Sequence, residues 1–215
     1  MRYFLFFTLF ILFSCNEKKK NNIIRKPNIS TTFSIQKSQE NVFLLPLIEK
    51  WNDSIFKLPY KLKNNEISVI IGIGYGWYAY DERNHYIFQN DSVIKHFKEK
   101  IPKAYLKKGY EKYSLEEFEV TTDLKRKLIK NINSSNFLSF LKYNQEDFKL
   151  KATTINPCMV SDANGYTITV IQNDKFKNYR YYAPRHILEK CKHESINKKM
   201  LKDFINLLEQ WNIEI

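Results

Sequence analysis

From Ile67 to Tyr80 the chain reads Ile-Ser-Val-Ile-Ile-Gly-Ile-Gly-Tyr-Gly-Trp-Tyr-Ala-Tyr. β-Branched and aromatic side chains at this density suit a pleated surface better than a helix, so the stretch predicts a long strand. A strand needs partners, and the sequence offers them. Asp81-Glu82-Arg83-Asn84 reads as a polar turn, Tyr86-Ile87-Phe88 as a second strand and Asn90-Asp91 as another turn. Val93 to Phe97 fits a helix capped by Ser92 or a third meander strand, and the turn before it favours the strand. Further on, Asn164-Gly165 precedes an alternating run from Tyr166 to Ile171, and Asn173-Asp174 turns into Phe176 to Tyr182. That pattern is a hairpin.

Elsewhere the period changes. Pro46 at a first helical position would put Leu47, Ile48, Trp51 and Ile55 on one face, with Pro59 ending the helix. Thr121-Thr122-Asp123 opens a second helix with a hydroxyl cap and an acid in its first turn, its stripe being Leu124, Leu128, Ile129 and Ile132. Phe137, Leu138, Phe140 and Leu141 follow Ser134-Ser135 as a short helix. A last helix, capped by Ser195, carries Met200, Leu201, Phe204, Ile205, Leu208 and Trp211. With 43% hydrophobic residues in a chain of 215, there is apolar mass for a real core, and a disordered, collagen-like or multi-span membrane chain is excluded. The expectation is a single α+β domain over residues 41–215: an antiparallel meander sheet packed by two or three helices, with the C-terminal helix closing the core.

The N-terminus has a different character. Met1-Arg2 is followed by an apolar run from Tyr3 to Phe13 and then by Ser14-Cys15. A bilayer-spanning helix takes about 20 apolar residues, so this run reads as the core of a signal peptide, residues 1–14. Leu12-Phe13-Ser14-Cys15 resembles the lipobox of bacterial lipoproteins, with Leu12, Ser14 and Cys15 at the matching places and Phe13 bulkier than usual. The resemblance implies acylation (palmitate) of Cys15, attachment to a membrane through it, and a place in the cell envelope facing the periplasm. Residues 15–40, with six Lys/Arg against two acids, then form a polar tether beside the anchor. Asn136-Phe137, Tyr166-Thr167-Ile168-Thr169-Val170, Tyr182-Ala183-Pro184 and Trp211 also resemble, in layout, a class of uncharacterised envelope lipoprotein domains. That likeness spans about residues 66–212 and implies a fold only.

Export alters the meaning of charge and of cysteine. A net charge of +12 on a cytosolic, Tyr-rich chain would raise nucleic acid as a partner. Outside the cytosol an acidic envelope protein or glycan becomes the expected partner, and nucleic acid is not expected. Cys158 and Cys191 read as a disulfide in an oxidising compartment. Free thiols remain open, as does zinc with His186 and His193, although no Cys pair has the spacing of a structural zinc site. No metal or cofactor is expected.

Gly72, Gly74 and Gly76 lack the helix that a dinucleotide loop requires. On a strand they would share one face and leave a trough, more often filled by a helix than by a ligand ring. Tyr179-Arg180-Tyr181-Tyr182 would place Tyr179 and Tyr181 on one face and Arg180 and Tyr182 on the other. With Trp77, Tyr78 and Tyr80 they make the candidate recognition surface, since Tyr, Trp and Arg dominate binding hot spots. Asp162-Ala163-Asn164-Gly165 is a turn rather than a calcium loop. No G-x-S-x-G, H-E-x-x-H, P-loop or C-x-x-C motif occurs, and no catalytic residue is assigned. The expected function is that of a lipid-anchored, non-catalytic binding module, of the assembly-factor, inhibitor or immunity type. The alternatives are a glycan or peptidoglycan hydrolase using scattered acids such as Asp81-Glu82, and a purely structural lipoprotein.

Overall fold

The computed structural model describes residues 45–47, 49–50, 57–74, 76, 79–90, 92–103, 112–148, 158 and 160–215. They belong to a unit running from Thr32 to Ile215. The expected signal peptide, residues 1–14, and the whole expected tether, residues 15–40 with Cys15, lie outside the described residues. So do Trp77 and Tyr78.

In chain order the elements are β1 (Glu49–Lys50), β2 (Glu66–Gly74), β3 (Tyr80–Gln89), β4 (Ser92–Pro102), β5 (Ser114–Phe118), α1 (Thr122–Ile132), α2 (Ser135–Phe140), β6 (Gly165–Gln172), β7 (Lys175–Tyr182), α3 (Pro184–Lys190) and α4 (Lys198–Gln210). A short 3-10 turn covers Gln145–Phe148. All seven strands join one antiparallel sheet in the order β1-β7-β6-β2-β3-β4-β5. The protein is therefore α+β: a meander from β2 to β5, extended on its other side by the β6–β7 hairpin. Among the described residues no helix is long and apolar enough to cross a membrane.

One face of the sheet carries the main core. Ile67, Val69 and Ile71 of β2, Tyr86 and Phe88 of β3, Ile168 and Val170 of β6 and Tyr179 of β7 meet Phe137, Phe140, Phe204, Leu208 and Trp211 from the helices. Trp211 seals the far end, its ring 5.2 Å from Tyr86 and 6.4 Å from Phe137. Lys177 points into the same face and is 5% exposed, its ammonium donating to the carbonyls of Leu141 and Tyr143 just past the end of α2. The Leu141 carbonyl, at the C-cap, is one that a helix leaves unpaired at the negative end of its dipole. Among the described residues the opposite face is half covered. Leu58 and Leu62 lie on Ile70, Ile171 and Phe176 near one end of the strands.

Three sequence expectations are corrected. The strand from Ile67 ends at Gly74 rather than Tyr80, and Asp81-Glu82-Arg83-Asn84 belongs to β3 instead of forming a turn. The pairing Gly74↔Asp81 places the hairpin connection between them. A run of charges suits a strand here because each charge finds a partner on the next one: Glu82 lies 3.0 Å from Lys98 and Arg83 lies 3.5 Å from Glu99. Among the described residues no helix begins at Pro46. Leu45 and Leu47 are buried on either side of exposed Pro46, and Glu49–Lys50 pairs with Phe176 and Lys175 at the edge of β7. Ile48, Trp51 and Ile55 lie outside the described residues. The cap of α4 is Asn197, whose side chain accepts from Met200 N at 3.1 Å, while Ser195 hydrogen-bonds to His193. α1 and α2 start at Thr121 and Ser134 as their caps predict.

Candidate functional site

Strand register builds a groove on the half of the sheet that the 57–63 segment leaves open. One row of directly paired residues runs Arg180 (β7), Thr167 (β6), Gly72 (β2), Arg83 (β3), Glu99 (β4). The next row runs Tyr182, Gly165, Gly74, Asp81. Paired residues project from the same face, so glycines at the centre and long side chains at the sides leave a hollow. Its volume is about 360 Å³, and Gly76, Lys103 and Ala163 complete the lining. Gly72 must lack a side chain, because a Cβ there would overlap the Thr167 hydroxyl. The helices pack on the other face, so the expected packing of a helix into the glycine trough is corrected to an open floor.

The charges around this floor are held to different degrees. Glu99 is 6% exposed. Burial alone would raise its carboxyl. The hydrogen bond and charge of His85, the Arg83 guanidinium and the Tyr113 hydroxyl outweigh burial and hold the carboxyl below the usual glutamate range. Its Oε2 lies 3.0 Å from His85 Nε2, and Tyr113 donates to Oε1 at 3.1 Å. An ionised carboxylate only accepts, so Nε2 of the fully buried His85 carries a proton. Arg83 thus stands with one flank against a buried anion and the other along the groove. Lys103 donates to Gly76 O at 2.9 Å and lies 3.7 Å from Asp81 Oδ1. Arg180 differs. Gln145 grips its backbone, accepting from Arg180 N at 2.6 Å and donating to Arg180 O at 3.1 Å. Among the described residues no carboxylate pairs with its guanidinium.

No family model matches this chain, and no curated protein does. The residues themselves carry the functional argument.

Of the aromatic surface expected from the sequence, the structure assembles a part. Arg180 and Tyr182 face the groove; Tyr182 is 46% exposed and its hydroxyl accepts from Ala163 N at 2.8 Å. Tyr179 is fully buried and donates to Tyr143 O, which removes it from any recognition surface. Burial also drives its phenol well above the ordinary tyrosine range. Tyr181 is on the same side, against Phe148 and Phe204. Tyr80 is one residue from Asp81 and so projects from the face away from the groove, where the Lys100 ammonium lies 5.0 Å from its ring. The split of Tyr179 and Tyr181 from Arg180 and Tyr182 follows the expected alternation.

Thr167, Arg83 and Lys103 were not candidates from sequence, and Asp81 entered only as an acid of the hydrolase alternative. The signal was present in the alternation Asp81, Arg83, His85 against Glu82, Tyr86, Phe88, once Asp81 to Asn84 is seen as strand. Cys158 and Cys191 come together at disulfide distance, with Cα atoms 5.4 Å apart. Among the described residues no group of three or more His, Cys, Asp or Glu is placed to hold a metal ion.

Proposed function

We propose that this chain is a lipid-anchored protein of the cell envelope, facing the periplasm, whose folded part is a non-catalytic binding module. It is of the kind used in envelope assembly, inhibition or immunity, and it engages its ligand in the groove above Gly72 and Gly74. The observation that carries the reading is the groove itself: a glycine floor bearing the Thr167 hydroxyl, flanked by Arg180, Arg83 and Tyr182. Concave sites of this volume with a few placed polar groups are the usual form of small-ligand sites.

Anchoring rests on Leu12-Phe13-Ser14-Cys15 and the short apolar run before it. Each buried acyl methylene contributes about 0.8 kcal/mol, so more than one chain on Cys15 holds a protein durably. The approach of Cys158 to Cys191 supports an oxidising compartment.

A glycan hydrolase needs two carboxyl groups facing one bond. Asp81 and Glu82 are successive residues of β3 and project from opposite faces, Asp81 toward Lys103 and Glu82 toward Lys98 and Lys100. That geometry favours binding over hydrolysis. The test of anchoring is cell fractionation. Wild-type protein should sediment with membranes and incorporate labelled palmitate, and Cys15→Ser should do neither. A Cys15→Ser protein that still sediments and takes up label overturns the anchor.

A further inference from the structure

We propose that the groove holds a single anionic group, a carboxylate or a phosphate, between Arg180 and Arg83 above Gly72. This rests on the reading of the groove as the binding site and names the chemistry it takes.

The two arginines sit in one cross-strand row with Thr167 and Gly72 between them. Neighbouring strands are about 4.8 Å apart, so the two backbones stand about 14 Å from each other, and both arginine side chains line the groove between them. The guanidinium fork matches carboxylate and phosphate oxygens in pairs, which makes Arg the residue suited to such groups. Gly72 adds no side chain between them, and the Thr167 hydroxyl lies over it as a third donor. Arg83 is steadied by Glu99 at 3.5 Å. Arg180 is steadied through its backbone by Gln145, and among the described residues no carboxylate pairs with its guanidinium.

The neighbouring row says what the rest of the ligand looks like. Gly165 and Gly74 continue the floor, the Tyr182 ring forms one wall, and Asp81 closes the far side. A flat body fits along the glycines against the tyrosine. A second anion would meet Asp81. The ligand is therefore small, with one anionic head and a flat, uncharged remainder.

The test titrates the full-length protein in detergent micelles with benzoate, phenyl phosphate, inorganic phosphate and neutral benzyl alcohol, read by calorimetry. Arg180→Gln is compared with Lys202→Gln, which removes the same charge from the exposed side of α4. Benzoate or phenyl phosphate should bind saturably, the tighter of the two naming the head group. Arg180→Gln should weaken that binding by about tenfold or more, since a hydrogen-bonded charge pair is lost. Lys202→Gln should stay within about twofold of wild type, as an exposed charge contributes little. Inorganic phosphate should bind more weakly than phenyl phosphate; equal affinity sinks the flat-body half of the proposal. Equal affinities of the two variants, or no saturation by any anion, overturn the anion site. If benzyl alcohol alone saturates, the groove remains a binding site while the anion is refuted, and silence from all four probes counts against the groove as well.

Discussion

At the scale of single residues, Glu99 and His96 give the protein a definite response to acid. His96 is stacked on Tyr86 with ring centroids 4.6 Å apart. Burial first, then the charges of His85 and Lys98, hold its imidazole below the ordinary histidine value of 6.5. The unfolded chain therefore takes up the proton before the folded one does, and stability falls as pH drops below 6.5 toward the folded value. Glu99 acts in the same direction lower down. Its folded pKa is depressed, so its contribution is complete above the ordinary glutamate value of 4.5 and is lost as pH falls through the folded one. Urea midpoints measured from neutrality downward should decline in two stages. Glu99→Gln should flatten the lower stage and leave the upper one in place; a lower stage that persists in this variant would assign the acid response to another group.

At the scale of elements, the cysteine pair joins the segment before β6 to the end of α3 across 33 residues of chain. A closed loop of that size restricts the unfolded state by about 3–4 kcal/mol in the chain-entropy account. Reduction should lower the unfolding free energy by about that much, and alkylation followed by intact-mass measurement should count two additional blocked thiols only after reductant. Stability unchanged by reduction would show that the loop is already restrained by other contacts. Elements also divide what the sequence reveals from what it hides. α1 and α2 were legible because Thr121 and Ser134 are capping residues directly ahead of apolar periodicity. The β6–β7 hairpin was legible because Asn173 takes a left-handed conformation, φ 57°, between two alternating runs. α3 escaped notice. It has no side-chain cap, its preceding Ala183 is itself left-handed at φ 48°, and only Pro184 marks its start. The glycine trough was legible, but the side chains that line up across it escaped for a related reason. Its residues come from four strands, and only cross-strand register brings Arg180, Thr167, Gly72 and Arg83 into one line. Register is a tertiary fact, and no local window of sequence contains it.

At the scale of the whole molecule, the sheet is unevenly protected. β2 and β6 lie inside it, with paired strands on both sides, and their core-facing side chains are almost fully buried. β5 is an edge strand carrying exposed Leu115 and Phe118, and β1 is only two residues long. Local opening draws on edges and sparsely packed elements first. Amide exchange should accordingly be slowest in β2 and β6 and fastest in β1 and β5. Uniform protection across all seven strands would contradict this layering.

Gln145 has a consequence beyond the groove. Past the short reach of β1, the outer rung of β7 at Arg180 is occupied by a carboxamide that offers one acceptor and one donor, as a neighbouring backbone would. A foreign strand arriving at that place finds its rung already taken. Where many copies are crowded together, this plug keeps one molecule's sheet from continuing into the next, so the same glutamine that presents Arg180 to solvent also guards against stacking into fibres.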